Sequence, residues 1–212
     1  MIMAYPRLYA STIRTKERKR TPFGHNQIRA LECTDVSDNA ALAARVRAAS
    51  HLTGTFLLRS GKTSTEYFDK YLFEADPELL AAIVDGLTGL VPAGTEVLAG
   101  LELGGVPLAT LLSQRTGLPT RFVRKKAKEY GTRRIAEGGE VTGRRVVLVE
   151  DVVTSGGAVL DATKVLRDDG AVVEDVLCVI DRSEGGRERL AELGLTLRPL
   201  LTRAELDAAA AR

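Results

Sequence analysis

Two carboxylates, Glu150 and Asp151, directly follow an apolar, β-branched-rich run at 146–149 and precede a loop containing Thr154, Ser155, Gly156 and Gly157. Each residue type suits a distinct task. Adjacent carboxylates are acceptors matched to a pair of vicinal hydroxyls, such as a sugar diol. Glycines let a backbone turn tightly and approach an anion with no Cβ in the way. Hydroxyls at 154 and 155 add donors, and Ala158 opens a stretch with helical spacing, whose N-terminal N–H groups and positive dipole end would face that anion. The residues from Glu150 through Asp151, Val152, Val153, Thr154, Ser155, Gly156 and Gly157 to Ala158 therefore read as a phosphate seat with a sugar clamp beside it. An ordinary strand-to-helix turn uses many of the same residue types, but paired acids followed by Thr-Ser-Gly-Gly argue for the seat. No Gly-Lys-Ser/Thr follows the glycines, which excludes a Walker loop.

A second concentration of charge runs from Arg124 to Arg134. It includes Lys125, Lys126 and Lys128, has Tyr130 as its one aromatic residue, and continues through Gly138 and Gly139 with few apolar anchors. A solvated loop and a nucleic-acid patch are the competing readings. One aromatic residue is poor provision for base stacking. A cationic loop in a chain with a phosphate seat fits a lid over 125–140 that closes on a polyanion.

The elements that must carry these residues follow from periodicity. The run at 146–149 reads as a strand buried on both faces. Further strands are expected at 96–100, 120–123, 175–180 and 195–200, alternating with helices at 108–115, 158–167 and 187–193, which implies a doubly wound, mainly parallel α/β sheet. The loop 101–107, with Gly104, Gly105 and Pro107 before a helix, is a second candidate anion loop. Thr202 and Glu205 have capping-box spacing for a last helix. Upstream, 38–52 and 77–90 read as helices. Between them, strands at 55–58 and 65–69, joined by a turn at Ser60-Gly61, form a small amino-terminal hairpin or hood that can cover a site. The organisation read is a basic extension at 1–36, helix and hood at 37–75, and an α/β core at 76–212.

With 212 residues, 44% hydrophobic and 27% charged, the chain has the composition of a soluble globular protein. The net charge of +2 hides a division. Residues 1–33 carry seven basic and two acidic side chains, leaving 23 basic against 26 acidic elsewhere, so the body is no obvious nucleic-acid binder. The extension is Arg-rich and acid-poor like a transit peptide, but it lacks an amphipathic pattern, and a disordered or spurious extension is the favoured reading. No apolar run is long enough to span a membrane. Cys33 and Cys178, with His25 and His51, argue against a disulfide framework or a zinc site and suit a reducing cytoplasm.

The segment 146–158 resembles the 5-phosphoribosyl-1-pyrophosphate (PRPP) motif of the type I phosphoribosyltransferases: an apolar strand, two acids, two apolar residues, Thr, a small residue and Gly. Three more segments narrow the likeness. Residues 56–68 resemble the hood of the orotate phosphoribosyltransferases. Residues 124–131 resemble that family's catalytic loop, Arg-Lys-x-x-Lys-x-His-Gly, and Asp181-Arg182 resembles its orotate-contacting Asp-Arg. The resemblance covers about 40–205 in collinear order.

What the resemblance implies is transfer of a phosphoribosyl group from PRPP to orotate, giving orotidine 5′-monophosphate and pyrophosphate, with Mg²⁺ carried mainly by PRPP. It implies Lys128 as the main lid residue and Lys125 as its support. Arg59, Arg124, Lys125, Lys128 and Tyr130 would join residues 150–158 on PRPP. Ser60, Gly61, Tyr67, Phe68, Thr154 and Arg182 would meet orotate, and the partner expected is a second copy of the chain, with the lid shared in a homodimer. Three positions depart from the family pattern: Tyr130 in place of the loop histidine, Gly104 where many members have lysine, and Arg59 in place of lysine. A phosphoribosyltransferase for a purine or uracil, and a PRPP-sensing regulator without catalysis, are the alternatives. The hood and Arg182 argue against the first, and the cationic lid and acidic body against the second.

Overall fold

The computed structural model describes residues 36–57, 61, 63–125, 135–182 and 184–210. A six-stranded sheet forms the centre, built from β3 (Val97–Leu101), β4 (Thr120–Val123), β5 (Ala136–Glu137), β6 (Arg145–Val153), β7 (Val172–Asp181) and β8 (Thr196–Thr202). Their spatial order is β5-β4-β3-β6-β7-β8. All neighbours are parallel except β4 and β5, an antiparallel pair at one edge. The alternation of strand and helix in the sequence dictates this parallel core. The two-residue β5 falls in a stretch with no apolar period and was not expected.

The order has a functional consequence. From β3 the chain crosses through α4 (Gly105–Thr116) to β4 on one side; from β6 it crosses through α5 (Gly157–Asp168) to β7 on the other. The direction in which successive connections run across the sheet therefore reverses between β3 and β6, and a crevice opens beyond their carboxyl ends. Both candidate anion loops leave the sheet at that crevice.

Two apolar layers hold the sheet, and strand periodicity assigns residues to each. Val147, Val149, Leu177 and Val179 face one layer, with α1 (Val36–Ser50), α3 (Pro77–Thr88), α4 and α7 (Arg203–Ala210). Val146, Leu148, Val176 and Cys178 face the other, with α5 and α6 (Gly186–Glu192). Leu148 and Leu177 are wholly buried. Truncating either to Ala removes about 2–5 kcal/mol.

The hood is an antiparallel pair, β1 (His51–Leu57) with β2 (Thr63–Phe68), whose register joins His51 to Phe68 and Leu57 to Thr63. A short helix, α2 (Lys70–Ala75), follows at once and was missed in the sequence. Asp69 caps it by accepting from the Tyr71 N–H at 3.1 Å, while the Asp69 N–H donates to the Ser50 carbonyl at 2.8 Å, tying hood to α1. Asp76 and Pro77 then start α3, the acid side chain accepting from Glu78 and Leu79 N–H groups. The capping box is realised as the residue types predict: Thr202 Oγ1 donates to Glu205 Oε2 at 2.7 Å and the Thr202 N–H at 2.6 Å. The extension lies outside the described residues up to 35, as do 58–60 and the lid segment 126–134.

Candidate active site

A cavity of about 560 Å³ occupies the crevice between β3 and β6. Its floor is the loop that opens α5. Gly156 has φ +75°, a left-handed conformation that strains residues with a Cβ, and a Cβ added there would lie 3.4–3.5 Å from Leu190 and the Gly186 carbonyl. That bend turns the first N–H groups of α5, which have no intrahelical acceptor, towards the crevice. Val152, Val153, Thr154, Ser155, Gly156, Gly157 and Ala158 all line the cavity, so this expected group is brought together. Asp161, on the first turn but one of the helix, also lines it.

The opposite wall is cationic and comes from the stem of the charged loop. Arg124 and Lys125 line the cavity. The Arg124 N–H donates to the Ile135 carbonyl at 2.8 Å, extending the β4–β5 pair, and the Lys125 N–H donates to Glu102 Oε1 at 2.6 Å. Glu102 in turn donates its own N–H to the Val123 carbonyl at 2.8 Å. One acidic residue thus joins the glycine-containing loop after β3 to the first residues of the charged segment. Sequence reading missed it; the signal available was an acid placed immediately after β3 in a glycine-containing loop. Lys128 and Tyr130 lie outside the described residues, as does Arg59.

The two acids divide. Successive residues of a strand point to opposite faces, and Glu150 and Asp151 both belong to β6. Glu150 lines the cavity, whereas Asp151 lines neither cavity described and is fully buried. Asp151 Oδ1 accepts from the Val152 N–H at 2.6 Å, and Oδ2 lies 2.5 Å from Lys70 Nζ of α2. Glu74 of the same helix lies close to Asp151 as well, the two carboxyl groups crowding one space beside Gly104. Burial, followed by Asp151, pushes Glu150 well above the usual carboxylate range. Burial would also raise Asp151, but its bonds with Glu150, Lys70 and Glu74 outweigh that and hold it below its ordinary value. Burial, then Asp151, lifts Glu74 to about 8. Lys70 is raised: burial opposes its charge and the Asp151 carboxylate more than restores it.

A second cavity of about 360 Å³ lies beneath the hood. Tyr67, Phe68 and Arg182 line it together, with Arg47 and Arg203 paired to Asp207, and His51 beside Glu66, on the same wall. Phe68 stacks against buried Phe73 at 6.5 Å between ring centroids, and Tyr67 against Phe56 at 5.4 Å. Arg182 leans on Glu184 at 3.5 Å, an exposed pair that a ligand can displace at little cost. Thr154, expected to meet both substrates, lines the first cavity, and the Val153 next to it in the chain is backbone-bonded to Arg182 of the second. Gly61 sits exposed on the hood turn, and Ser60 lies outside the described residues.

A doubly wound sheet with a glycine-containing loop at its switch point is the setting of a nucleotide-type ligand site, and the family described as the phosphoribosyl transferase domain matches residues 69–192. An orotate phosphoribosyltransferase from Nocardioides sp. is 61% identical over 171 residues, covering 81% of this chain and 96% of that protein. One from Methanocella arvoryzae is 46% identical over 153 residues, 72% of this chain and 87% of that one. Among solved structures, Mycobacterium tuberculosis orotate phosphoribosyltransferase with Fe(III) dicitrate superposes with a TM-score of 0.72 at 37% identity, covering 80% of this chain and 98% of that chain. The same enzyme in complex with PRPP gives 0.68 at 34%, covering 80% and 99%. The chain belongs to the orotate phosphoribosyltransferase family.

Proposed function

We propose that the chain transfers the 5-phosphoribosyl group from PRPP to orotate, yielding orotidine 5′-monophosphate and pyrophosphate in pyrimidine nucleotide synthesis. The observation that carries this reading is the junction of two unlike cavities. One has an anion seat at a helix N-terminus; the other has aromatic walls and a guanidinium; and Val153 of the first is backbone-bonded to Arg182 of the second at 2.9 Å.

Residues 154–158 take the 5-phosphate on backbone N–H groups and hydroxyls, and Glu150 meets the ribose diol with support from Asp151. Arg124 and Lys125 at the stem, with Lys128, Tyr130 and Arg59, take the pyrophosphate. Tyr67 and Phe68 cover the pyrimidine, Ser60 and Gly61 offer it backbone groups, and Arg182 pairs with the carboxylate in a charge-assisted bond that can be bidentate. Thr154 stands where the two substrates meet. Orotate N1 can arrive as an anion, having given its proton to solvent, so displacement at ribose C1′ requires no dedicated protein base. The bond from N1 to C1′ forms as the bond from C1′ to the pyrophosphate oxygen breaks, and the electron pair leaves on pyrophosphate. Positioning and stabilisation of the departing charge by Lys125 and Lys128 supply the rate.

Mg²⁺ fits this arrangement as an ion carried by pyrophosphate oxygens and water, its usual mode of binding. The cavity wall offers it the Glu102 carboxylate, an oxygen donor of the kind it takes. It supplies charge neutralisation on the leaving group. A homodimer with the lid reaching the neighbouring site is supported by exposed apolar side chains at Leu57, Leu103 and Tyr71. A cytoplasmic setting is supported by the buried free thiol of Cys178, and no helix among the described residues is long and apolar enough to cross a membrane. The test is turnover: loss of orotate absorbance with PRPP and Mg²⁺, abolished by Lys128→Ala while PRPP still binds. Full activity in that variant would remove the lid from the mechanism.

A further inference from the structure

Three carboxyl groups and one ammonium meet behind the phosphate seat, and two of the four come from a helix outside the PRPP motif. Lys70 and Glu74 are four residues apart on α2 and therefore share a face. Both reach Asp151, which is wholly buried on β6. Gly104 of the second anion loop closes the cluster from the third side. A Cβ there would collide with Asp151 Oδ2 and Cγ and lie 2.7 Å from Glu74 Oε1. Glycine at 104 is thus the condition for Asp151 and Glu74 to occupy this space, and the positive charge nearest Asp151 arrives from α2.

We propose that Lys70 and Glu74 are positioning residues for the transfer site, holding buried Asp151 from behind and so setting the charge and orientation behind Glu150, the acid that lines the cavity. The proposal rests on the PRPP half of the functional reading and is independent of which base is used. Its physical content is charge. PRPP is a polyanion, and two bare carboxylates beside its ribose would repel it. With Lys70 a cation against the Asp151 anion, and Glu74 raised to about 8, the charge behind the site is close to neutral. Removing Lys70 leaves a buried charge without its counter-ion, the costly way to break such a pair. The groups that set the charge of Glu74 are Asp151 from β6, Lys70 on its own helix and Asp69 at the cap. The other helices packed on α2 are α1 and α3, and they share an apolar cluster with its Phe73 through Ala43, Val46 and Leu79.

The consequence is a pH response specific to PRPP. As pH rises through the range in which Glu74 ionises, a second anion appears against Asp151 and PRPP binding weakens. The experiment is calorimetric titration of the full chain with PRPP and Mg²⁺ in the absence of base, from about pH 7 to about pH 9, for wild type, Glu74→Gln, Lys70→Met and Lys70→Arg. Gln is isosteric with the protonated acid and cannot ionise, so its PRPP affinity stays level where that of wild type falls about tenfold. Lys70→Met weakens PRPP about tenfold or more, and Lys70→Arg recovers most of that loss. Steady-state kinetics place the effect in KM for PRPP and leave KM for orotate alone. Parallel pH curves for wild type and Glu74→Gln overturn the proposal, as does Lys70→Met binding PRPP like wild type. Should Lys70→Met fail to fold, the Glu74→Gln comparison decides. Failure of orotate turnover with PRPP binding intact would count against the base assignment and leave this inference standing.

Discussion

The backbone N–H of Arg182 donates to the Val153 carbonyl at 2.9 Å, so the wall of one cavity is bonded directly to the wall of the other. Val153 belongs to the strand that ends in the anion seat, and Arg182 follows the neighbouring parallel strand. Parallel pairing of β6 with β7, with Val153 opposite Asp181, fixes this offset. Two ligands, one in each cavity, would therefore be positioned by one element pair, which is how a sheet contributes effective concentration.

Arg182→Ala separates the two cavities functionally. The variant raises KM for orotate by about ten- to a hundredfold through loss of a charge-assisted bond, and leaves PRPP affinity near wild type. Initial-rate kinetics with each substrate varied in turn measure both constants. Equal losses in the two would mean that Arg182 supports the sheet and not the base.

Gly104→Ala inserts a methyl group into the space held by Asp151 and Glu74. Relieving that collision displaces a buried carboxylate from its Lys70 partner, so the variant loses about 1–3 kcal/mol of stability and most of its PRPP affinity together. Denaturant unfolding and PRPP titration read the two effects. An Ala variant of wild-type stability would show that the cluster can relax.

Glu102→Ala releases the Lys125 N–H, which its carboxylate accepts at 2.6 Å. The root of the lid then loses its clasp to the second anion loop, and kcat falls about tenfold or more with little change in global stability. Glu102→Gln, which keeps an acceptor oxygen, restores much of it. Unfolding midpoints and kcat for the pair of variants check this.

Stability itself should decline towards alkaline pH. Glu74 is raised from its ordinary 4.5 to about 8 in the folded chain, so the folded state holds the proton that the unfolded state releases. The stabilisation is complete below about pH 4.5 and is lost as pH rises through about 8. Asp151 acts in the opposite sense at the acid end, since its lowered value gives stability that disappears as pH falls below the usual aspartate range. Glu74→Gln should flatten the alkaline decline by on the order of 1–3 kcal/mol, less than the full shift because Lys70 partly offsets an ionised Glu74. Thermal unfolding of both proteins across that range measures it; superimposable curves would contradict it.

How much of this was legible in the sequence depends on the range of the physics involved. The strand-loop-helix unit that lines the first cavity was legible because everything it needs is local: apolar strand, hydroxyls, glycines and helix start lie within thirteen consecutive residues. The capping box at Thr202 and Glu205 is local for the same reason. The grouping of Tyr67, Phe68 and Arg182 followed from resemblance, since no spacing rule joins residues so distant in the chain. Helix α2 was hidden because six residues after a hairpin offer less than two turns of period. The division of the acids was legible in principle, as strand alternation sends Glu150 and Asp151 to opposite faces, yet reading them as one clamp passed over that rule. What no pattern in the sequence announces is the meeting of Lys70, Glu74, Gly104 and Asp151, which depends on packing among three separate segments.

The central claim is most directly tested by presenting the purified protein with PRPP, Mg²⁺ and one base at a time: orotate, uracil, hypoxanthine or adenine. The account predicts nucleotide formation from orotate, with kcat/KM for each other base lower by at least about a thousandfold, because a site built to pair a carboxylate leaves Arg182 unpaired with bases that lack one. Comparable turnover of uracil or a purine would contradict it.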